Sequence, residues 1–183
     1  MPRFRAAALS LALTASPLFA SSALAQSFTL EAAAGHSDYS ASQYSFNDSA
    51  TALGITGRYT WPSGWGVEGG VRAHGEWVVP EYGFTARPHA TSYLVGVSYE
   101  LPLGPVTLGA RLGGHAWRLS GNLIGPGSEW LGRFEDSGSG LYYSLALSYA
   151  LTERLSLGLA HSQFRLQDSA RIKSTDIRLA YRF

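Results

Sequence analysis

The stretch Ile172–Phe183 reads IKSTDIRLAYRF, and its side chains alternate in character at every step. One face of an extended strand would carry Thr175, Ile177, Leu179, Tyr181 and Phe183. The other face would carry Ser174, Asp176, Arg178, Ala180 and Arg182. A period of two residues, with one apolar and one charged face, predicts a strand in a barrel wall that meets lipid outside and encloses a wet lumen.

The same alternation recurs upstream, so the sequence predicts eight antiparallel strands of about ten residues, long enough to cross a bilayer at a tilt. The predicted strands are 27–37, 50–61, 65–77, 90–101, 106–119, 140–151, 155–166 and 172–183. Short turns at 62–64, 102–105 and 152–154 alternate with long loops at 38–49, 78–89 and 120–138. Such alternation of turn length is typical of outer-membrane barrels, whose periplasmic turns are short.

Two stretches depart from the alternation. It weakens at 117–119 and again beyond His161. A β-bulge, or the exit of the strand from the membrane, would explain the change at 117–119.

The composition favours a membrane barrel over a soluble one. The chain of 183 residues holds a single Lys, Lys173, among its 14 Lys and Arg residues. A soluble barrel of this size needs many solvated charges on its outer face. The predicted inward face instead carries mainly Gly, Ala, Ser and Thr, and the centre of every apolar face lacks a charge. The predicted fold class is therefore all-β, an eight-stranded up-and-down transmembrane β-barrel.

Residues 1–25 have the three parts of a secretory signal peptide, which would be cleaved. The parts are a positive start at Arg3 and Arg5, a short apolar core at 6–15 and a small-x-small cleavage site at 23–25. The barrel would then comprise 26–183, with 12 Lys and Arg against 13 Asp and Glu, so no nucleic-acid partner is indicated. The chain has no Cys, which excludes disulfides and thiolate chemistry.

Aromatic residues cluster beside the predicted short turns and the C-terminus. They are Tyr59, Trp61, Trp65, Tyr99, Tyr149, Tyr181 and Phe183. Trp and Tyr prefer the membrane interface because the ring is apolar while its N–H or O–H stays wet. These residues therefore predict an aromatic ring at the periplasmic interface.

The charges on the predicted inward face are close to balanced. They are Glu31, Arg58, Glu68, Arg72, Glu100, Arg111, Asp176, Arg178 and Arg182. Eight strands enclose a lumen that side chains can fill, and buried charges are stable only when they are paired. We therefore expect an internal ion-pair network; a charged conduction path is the alternative.

With these features the segment 26–183 resembles the small eight-stranded outer-membrane proteins of Gram-negative bacteria, the OmpX/Ail and opacity-protein group. The most specific motif is the terminal Leu179-Ala180-Tyr181-Arg182-Phe183. The resemblance implies that Tyr181 and Phe183 form the signal that the barrel-assembly machinery reads, and it implies an outer-membrane location. In that group, activity lies mainly in the outer loops and includes adhesion and binding of host proteins.

No catalytic, cofactor or metal site is predicted. Lipid A deacylases of the PagL type place a His and a Ser two residues apart on the lipid face, whereas the nearest match here is the adjacent pair His161-Ser162. Adjacent strand residues point to opposite faces, so these two residues would not form such a pair, and the sequence does not favour a deacylase. His74 and His115 would face inward near the outer rim, and a metal site there would need a third ligand such as Glu76.

The predicted function is a non-enzymatic outer-membrane barrel whose loops serve surface contact or envelope integrity. The alternatives are a lipid A-modifying enzyme and a narrow channel or small-solute transporter. The candidate loop contacts, chosen because aromatics dominate binding hot spots, are Tyr39, Tyr44, Trp77, Tyr82 and Trp130. Outer-membrane lipid is the other expected partner: Arg118 and Arg165, near outer strand ends, are candidate contacts to lipopolysaccharide phosphates, with Arg87, Arg133 and Arg171 in loops.

Overall fold

The computed structural model describes residues 26–41, 44–81, 84–166 and 170–183, so the predicted signal segment 1–25 lies outside the described residues. None of the described residues forms a helix with the length and apolar character needed to cross a membrane. The strands in these ranges are β1 Ser27–Ala41, β2 Tyr44–Thr60, β3 Trp65–Glu76, β4 Val79–Glu81, β5 Phe84–Leu103, β6 Val106–Ile124, β7 Trp130–Ala150, β8 Leu155–Arg165 and β9 Arg171–Arg182.

Eight of these strands close an antiparallel barrel. Neighbours along the chain pair with each other except for β3 and β4: β3 pairs with β5, and the short β4 forms a hairpin with the start of β5 beside the main circuit. The first and last strands close the ring, from Thr29 opposite Arg182 to Ser40 opposite Arg171. The predicted eight-stranded up-and-down topology is confirmed.

Burial alternates along the membrane-crossing parts of the described strands with the period that the sequence predicted. In β9, Ser174, Asp176 and Arg178 are buried while Ile177 and Leu179 are exposed. The exposed face is apolar to an extent that a soluble monomer does not show: Val95 is 69% exposed and Leu145 is 67% exposed. This belt of Leu, Val and Ile side chains is the surface that lipid covers.

The strands extend well beyond the predicted membrane-crossing segments. β5, β6 and β7 contain 20, 19 and 21 residues. The predicted loops 38–49 and 120–138 are mostly strand, because the hairpins continue to pair up to Ser40 opposite Asn47 and up to Leu123 opposite Gly132. The loop assignment was wrong there, since a backbone ladder can continue through polar and Gly-rich sequence after the strand leaves the membrane.

The predicted irregularity at 117–119 is absent, because β5 and β6 pair without a register shift from Thr85 opposite Ile124 to Leu103 opposite Val106. Trp117 and Phe164 instead point inward and are buried. The alternation of inside and outside is therefore intact, and only the character of the inward face changes from polar to apolar. The bulge explanation was wrong for this reason.

Candidate functional site

Glu31 lies at the centre of the charged lumen. One of its oxygens lies 2.6 Å from Arg111 Nη2, and the other lies 3.1 Å from Arg178 Nη1. Arg58 Nη1 approaches the same carboxylate at 3.9 Å. All four side chains are buried, so three guanidinium groups from β2, β6 and β9 converge on one acid from β1.

Further pairs extend this network in both directions along the barrel axis. Arg58 Nη2 lies 2.7 Å from Glu100 Oε1, and Arg111 Nε lies 3.4 Å from Glu68 Oε2. The hydroxyl of Tyr142 donates to Glu68 Oε1 over 2.7 Å. Arg72 forms an ion pair with Asp176.

These ion pairs together, which we call the lumen network, include eight of the nine charged residues that the sequence assigned to the lumen; six are connected to one another through Glu31, and Arg72 and Asp176 form a separate pair. Its members are Glu31, Arg58, Glu68, Arg72, Glu100, Arg111, Asp176 and Arg178. The ninth, Arg182, is exposed at the periplasmic end, and no described residue forms an ion pair with it. The lumen network therefore contains four acidic and four basic side chains, whose charges balance inside the barrel.

An aromatic plug closes the lumen above these charges. We define the plug as Trp77, Tyr142, Phe164 and Ile172, all buried. The Phe164 ring lies 5.8 Å from the Tyr142 ring. In the middle of the barrel, between the plug and the lumen network, the remaining cavity is about 20 Å³, enough for about one water molecule. At this level the described side chains narrow the lumen to that cavity.

His74 and His115 belong to the plug region and not to an open rim. The Phe164 ring contacts both, with centroid distances of 4.8 Å and 5.3 Å. Ser92 Oγ lies 3.0 Å from His74 Nε2 and 3.2 Å from His115 Nδ1. No group of three or more His, Cys, Asp or Glu among the described side chains could hold a metal ion.

Trp77 is not a surface contact, and that part of the prediction is wrong. Its side chain is 0% exposed, and its indole N–H donates to the Ser37 carbonyl over 3.1 Å. Its ring also lies 5.5 Å from the Tyr39 ring, which leaves Tyr39 half-buried. Trp77 directly follows β3, and its side chain lies inside the mouth of the barrel and not on the outer surface.

Three further aromatic residues were predicted to be loop contacts: Trp130, Tyr44 and Tyr82. Trp130 is 70% exposed at the start of β7. Tyr44 and Tyr82 are outside the residues whose side chains the structure describes. Among the predicted contacts whose side chains the structure describes, Trp130 is thus the one that is exposed to solvent.

The aromatic residues beside the short turns contact one another around the periplasmic end. Tyr59 lies against Trp61 at 5.5 Å, and Trp65 lies against Tyr99 at 5.1 Å. The terminal Phe183 packs 5.0 Å from Tyr181, and its backbone N–H donates to the Phe28 carbonyl over 2.9 Å. This places the motif that resembles an assembly signal at the seam where β1 meets β9.

His161 and Ser162 lie on opposite faces of β8. His161 is exposed on the outer face, and its Nδ1 forms a 3.0 Å hydrogen bond with Thr175 Oγ1. Ser162 is buried in the lumen and donates to Ser144 Oγ over 2.9 Å. The base-activated hydroxyl pair of a PagL-type deacylase is therefore not formed by these two residues.

The two arginines predicted to meet lipopolysaccharide have different surroundings. Arg118 Nη2 lies 3.7 Å from Glu135 Oε2 on the extended part of the β6–β7 hairpin. Arg165 is exposed at the end of β8, directly opposite Arg171 on β9. The structure thus separates the two residues into different sites.

Comparison with solved structures identifies the same architecture elsewhere. The chain is similar to the crystal structure of Ail, the attachment invasion locus protein of Yersinia pestis, in complex with the heparin analogue sucrose octasulfate (TM-score 0.58, 17% identity, 86% of this chain and 97% of that chain). It is also similar to Neisserial surface protein A (TM-score 0.62, 16% identity, 85% and 97%) and to a major outer membrane protein from Thermus thermophilus (TM-score 0.64, 17% identity, 87% and 100%). At these identities the similarity shows the fold alone.

No curated protein matches the chain in sequence. Residues 6–183 match the family model described as the outer membrane protein beta-barrel domain. A closed eight-stranded barrel with a lipid-exposed apolar belt agrees with that match. The chain belongs to the outer membrane protein beta-barrel family and is a protein of the outer membrane.

Proposed function

We propose that this protein is a non-enzymatic surface protein of the outer membrane, and that its extended β6–β7 hairpin binds an extended segment of a partner protein. The observation that carries the proposal is a free strand edge. β7 pairs with β8 only from Tyr142 to Ala150, whereas it pairs with β6 up to Trp130. Residues 131–139 thus have a partner strand on one side only among the described residues.

This free edge has the properties of a peptide-docking strand. Unpaired N–H and C=O groups along an edge form a template that an added strand can complete, and alternate side chains then supply specificity. Nine residues span about 30 Å at the usual rise of a strand. Trp130, exposed at the tip, supplies an aromatic anchor of the kind that dominates binding hot spots.

The interior of the barrel supports surface contact over transport. The lumen network and the aromatic plug fill the space through which a solute would pass. The separation of His161 from Ser162 likewise removes the one hydroxyl–imidazole pair that the sequence had offered for lipid hydrolysis. Both observations favour a rigid scaffold that presents the hairpin.

Shortening the hairpin tests the proposal. A variant in which residues 116–139 are replaced by a two-residue Asn-Gly turn removes the free edge and leaves the membrane-crossing part of β6 and β7, where His115 pairs with Gly140. Bacteria expressing this variant are expected to adhere to immobilised extracellular-matrix proteins at the level of vector-only cells. Trp130→Ala should reduce adhesion by about tenfold or more, since a hot-spot residue contributes about 2 kcal/mol.

Two results would count against the proposal. One is full adhesion by the shortened variant, with heat-modifiability on a gel as the control for folding. The other is a missing acyl chain in the mass spectrum of lipid A from expressing cells, because a non-enzymatic protein leaves lipid A unchanged.

A further inference from the structure

We propose that one side of the barrel wall binds a single acylated lipid of the outer leaflet that carries phosphate on its headgroup. The site has three levels: the upper two lie on the outer faces of β1, β8 and β9, and the lowest lies on those of β9, β1, β2 and β3. A cationic cluster of Arg165, Arg171 and Lys173 would hold the phosphate. A polar row and then an apolar groove follow below it toward the membrane centre.

The cationic cluster is not neutralised by an ion pair with any residue that the structure describes. Arg165 lies directly opposite Arg171 in the β8–β9 ladder, and Lys173 follows two residues later on the same face. Like charges directly opposite each other destabilise a strand pair. Among the described residues no carboxylate forms an ion pair with any of the three, although Asp38 lies opposite Lys173 in the ladder.

An external anion would relieve this repulsion. The Nε of Arg171 donates to Ser40 Oγ over 3.1 Å, which holds the guanidinium at the rim and leaves its terminal nitrogens to bind a ligand. Guanidinium groups bind phosphate through two parallel hydrogen bonds. Asp168, which stands between Arg165 and Arg171 in the sequence, lies outside the described residues, and the variants used to test the site keep it unchanged.

The polar row lies one register step below the cluster. His36, Thr175 and His161 face each other across β1, β9 and β8, and all three are exposed on the outer face. In a membrane lipid, the ester, amide and hydroxyl groups lie between the phosphate and the acyl chains. Histidine and threonine at this level can hydrogen-bond those groups, for which the hydrocarbon below offers no partner.

The groove begins immediately beneath the polar row. Ala34 and Ala32 form its floor on β1, and larger side chains of β2 and β9 such as Leu53 and Ile177 form its walls. Its volume is about 540 Å³ and its lining is almost wholly apolar. Cations, polar groups and an apolar groove thus follow in the same order as the parts of a phosphorylated, acylated lipid.

A second copy of the chain fits the same surface less well. Two copies related by a two-fold axis along the membrane normal would present the same patch to each other. That arrangement would bring two cationic clusters together, and like charges repel. The lipid is therefore the occupant we assign.

Native mass spectrometry of the full-length protein, purified from outer membranes in detergent, tests the assignment with bisphosphorylated, hexa-acylated lipid A as the probe. The wild type should bind one lipid. Arg165→Gln with Arg171→Gln should weaken binding by about tenfold or more, as expected for lost charge-assisted hydrogen bonds. Ala32→Leu with Ala34→Leu, which fills the groove, should weaken binding by a similar factor. The single variants Arg171→Gln and Ala34→Leu replace any double variant that fails to fold.

Matched controls lie elsewhere on the barrel. Arg118→Gln removes an arginine that is paired with Glu135, and Ala110→Leu enlarges an alanine on the lipid-exposed face of β6. Both should retain wild-type binding. The proposal is overturned if either site variant binds like the wild type, if inorganic phosphate displaces the lipid completely, or if the groove variant splits a dimer of the wild type.

Discussion

Replacing Glu31 with Gln is expected to lower the free energy of unfolding by about 3–5 kcal/mol, the usual cost of removing one partner from a buried ion pair. Gln keeps the size of Glu but leaves the guanidinium groups of Arg58, Arg111 and Arg178 without the acid on which they converge. The measurement is urea unfolding of the barrel in phospholipid vesicles, followed by tryptophan fluorescence.

Two further variants separate the network from a general effect of losing a carboxylate. Glu153→Gln, in an exposed periplasmic turn, should change stability by about 0.5 kcal/mol or less. Glu31→Gln combined with Arg178→Gln should recover part of the loss because the charges balance again. A loss for Glu31→Gln no larger than that for Glu153→Gln would show that the lumen network does not stabilise the barrel.

Replacing Leu145 with Arg is expected to cost about 2–4 kcal/mol of stability, because its side chain meets hydrocarbon near the bilayer midplane. Leu151→Arg is the matched control, since Leu151 lies on the same strand face beside the periplasmic turn. The two positions are six residues apart, which corresponds to about 15 Å of depth at the usual strand tilt. The control should cost about 1 kcal/mol or less in the same vesicle assay.

The comparison of the two positions tests whether the cost of an Arg substitution depends on its depth in the membrane. Equal costs at Leu145 and Leu151 would indicate that no hydrocarbon gradient acts on this face. A smaller cost at Leu145 than at Leu151 would contradict the placement of the belt.

The alternation of side chains was sufficient to predict the barrel, its strand number and the inward residues of the lumen network. In β9, for example, Asp176 and Arg178 are buried as their parity requires. Period-two patterning specifies orientation strongly wherever the two faces meet different solvents. The partners within the network were not predictable, because the shear of a barrel decides which inward side chains reach each other.

The aromatic plug was not recognised because apolar residues on the inward face were interpreted as irregularity. Phe164 of the plug keeps the inward parity of Ser162 on β8, and Trp117, which is buried but not part of the plug, keeps that of Arg111 on β6. The signal that could have revealed the plug is the simultaneous change to apolar inward residues at the outer ends of β6 and β8. The exposed position of Trp77 was also wrongly predicted, since the hairpin pairing beyond the membrane was not visible in its local sequence.

The free edge of β7 depends on relative hairpin lengths. β7 extends outward to Trp130, whereas its pairing with β8 stops at Tyr142 opposite Phe164, and only the register of the full sheet shows this difference in length. The cationic cluster depends on the same kind of information. Arg165 and Arg171 are separated by five residues of sequence, and this spacing alone does not show that they lie opposite each other in the ladder.

Spin labelling at Val95 and Leu145 tests the central claim most directly, and the absence of native Cys allows single-cysteine variants without background. Nitroxides attached at these two positions, in the barrel reconstituted into phospholipid bilayers, should collide often with oxygen dissolved in the lipid and rarely with a water-soluble nickel chelate. A label at Ser63, in a periplasmic turn, should show the reverse. Access of the nickel chelate to Val95 and Leu145 at the level seen for Ser63 would mean that this face meets water and would contradict the barrel's placement in the membrane.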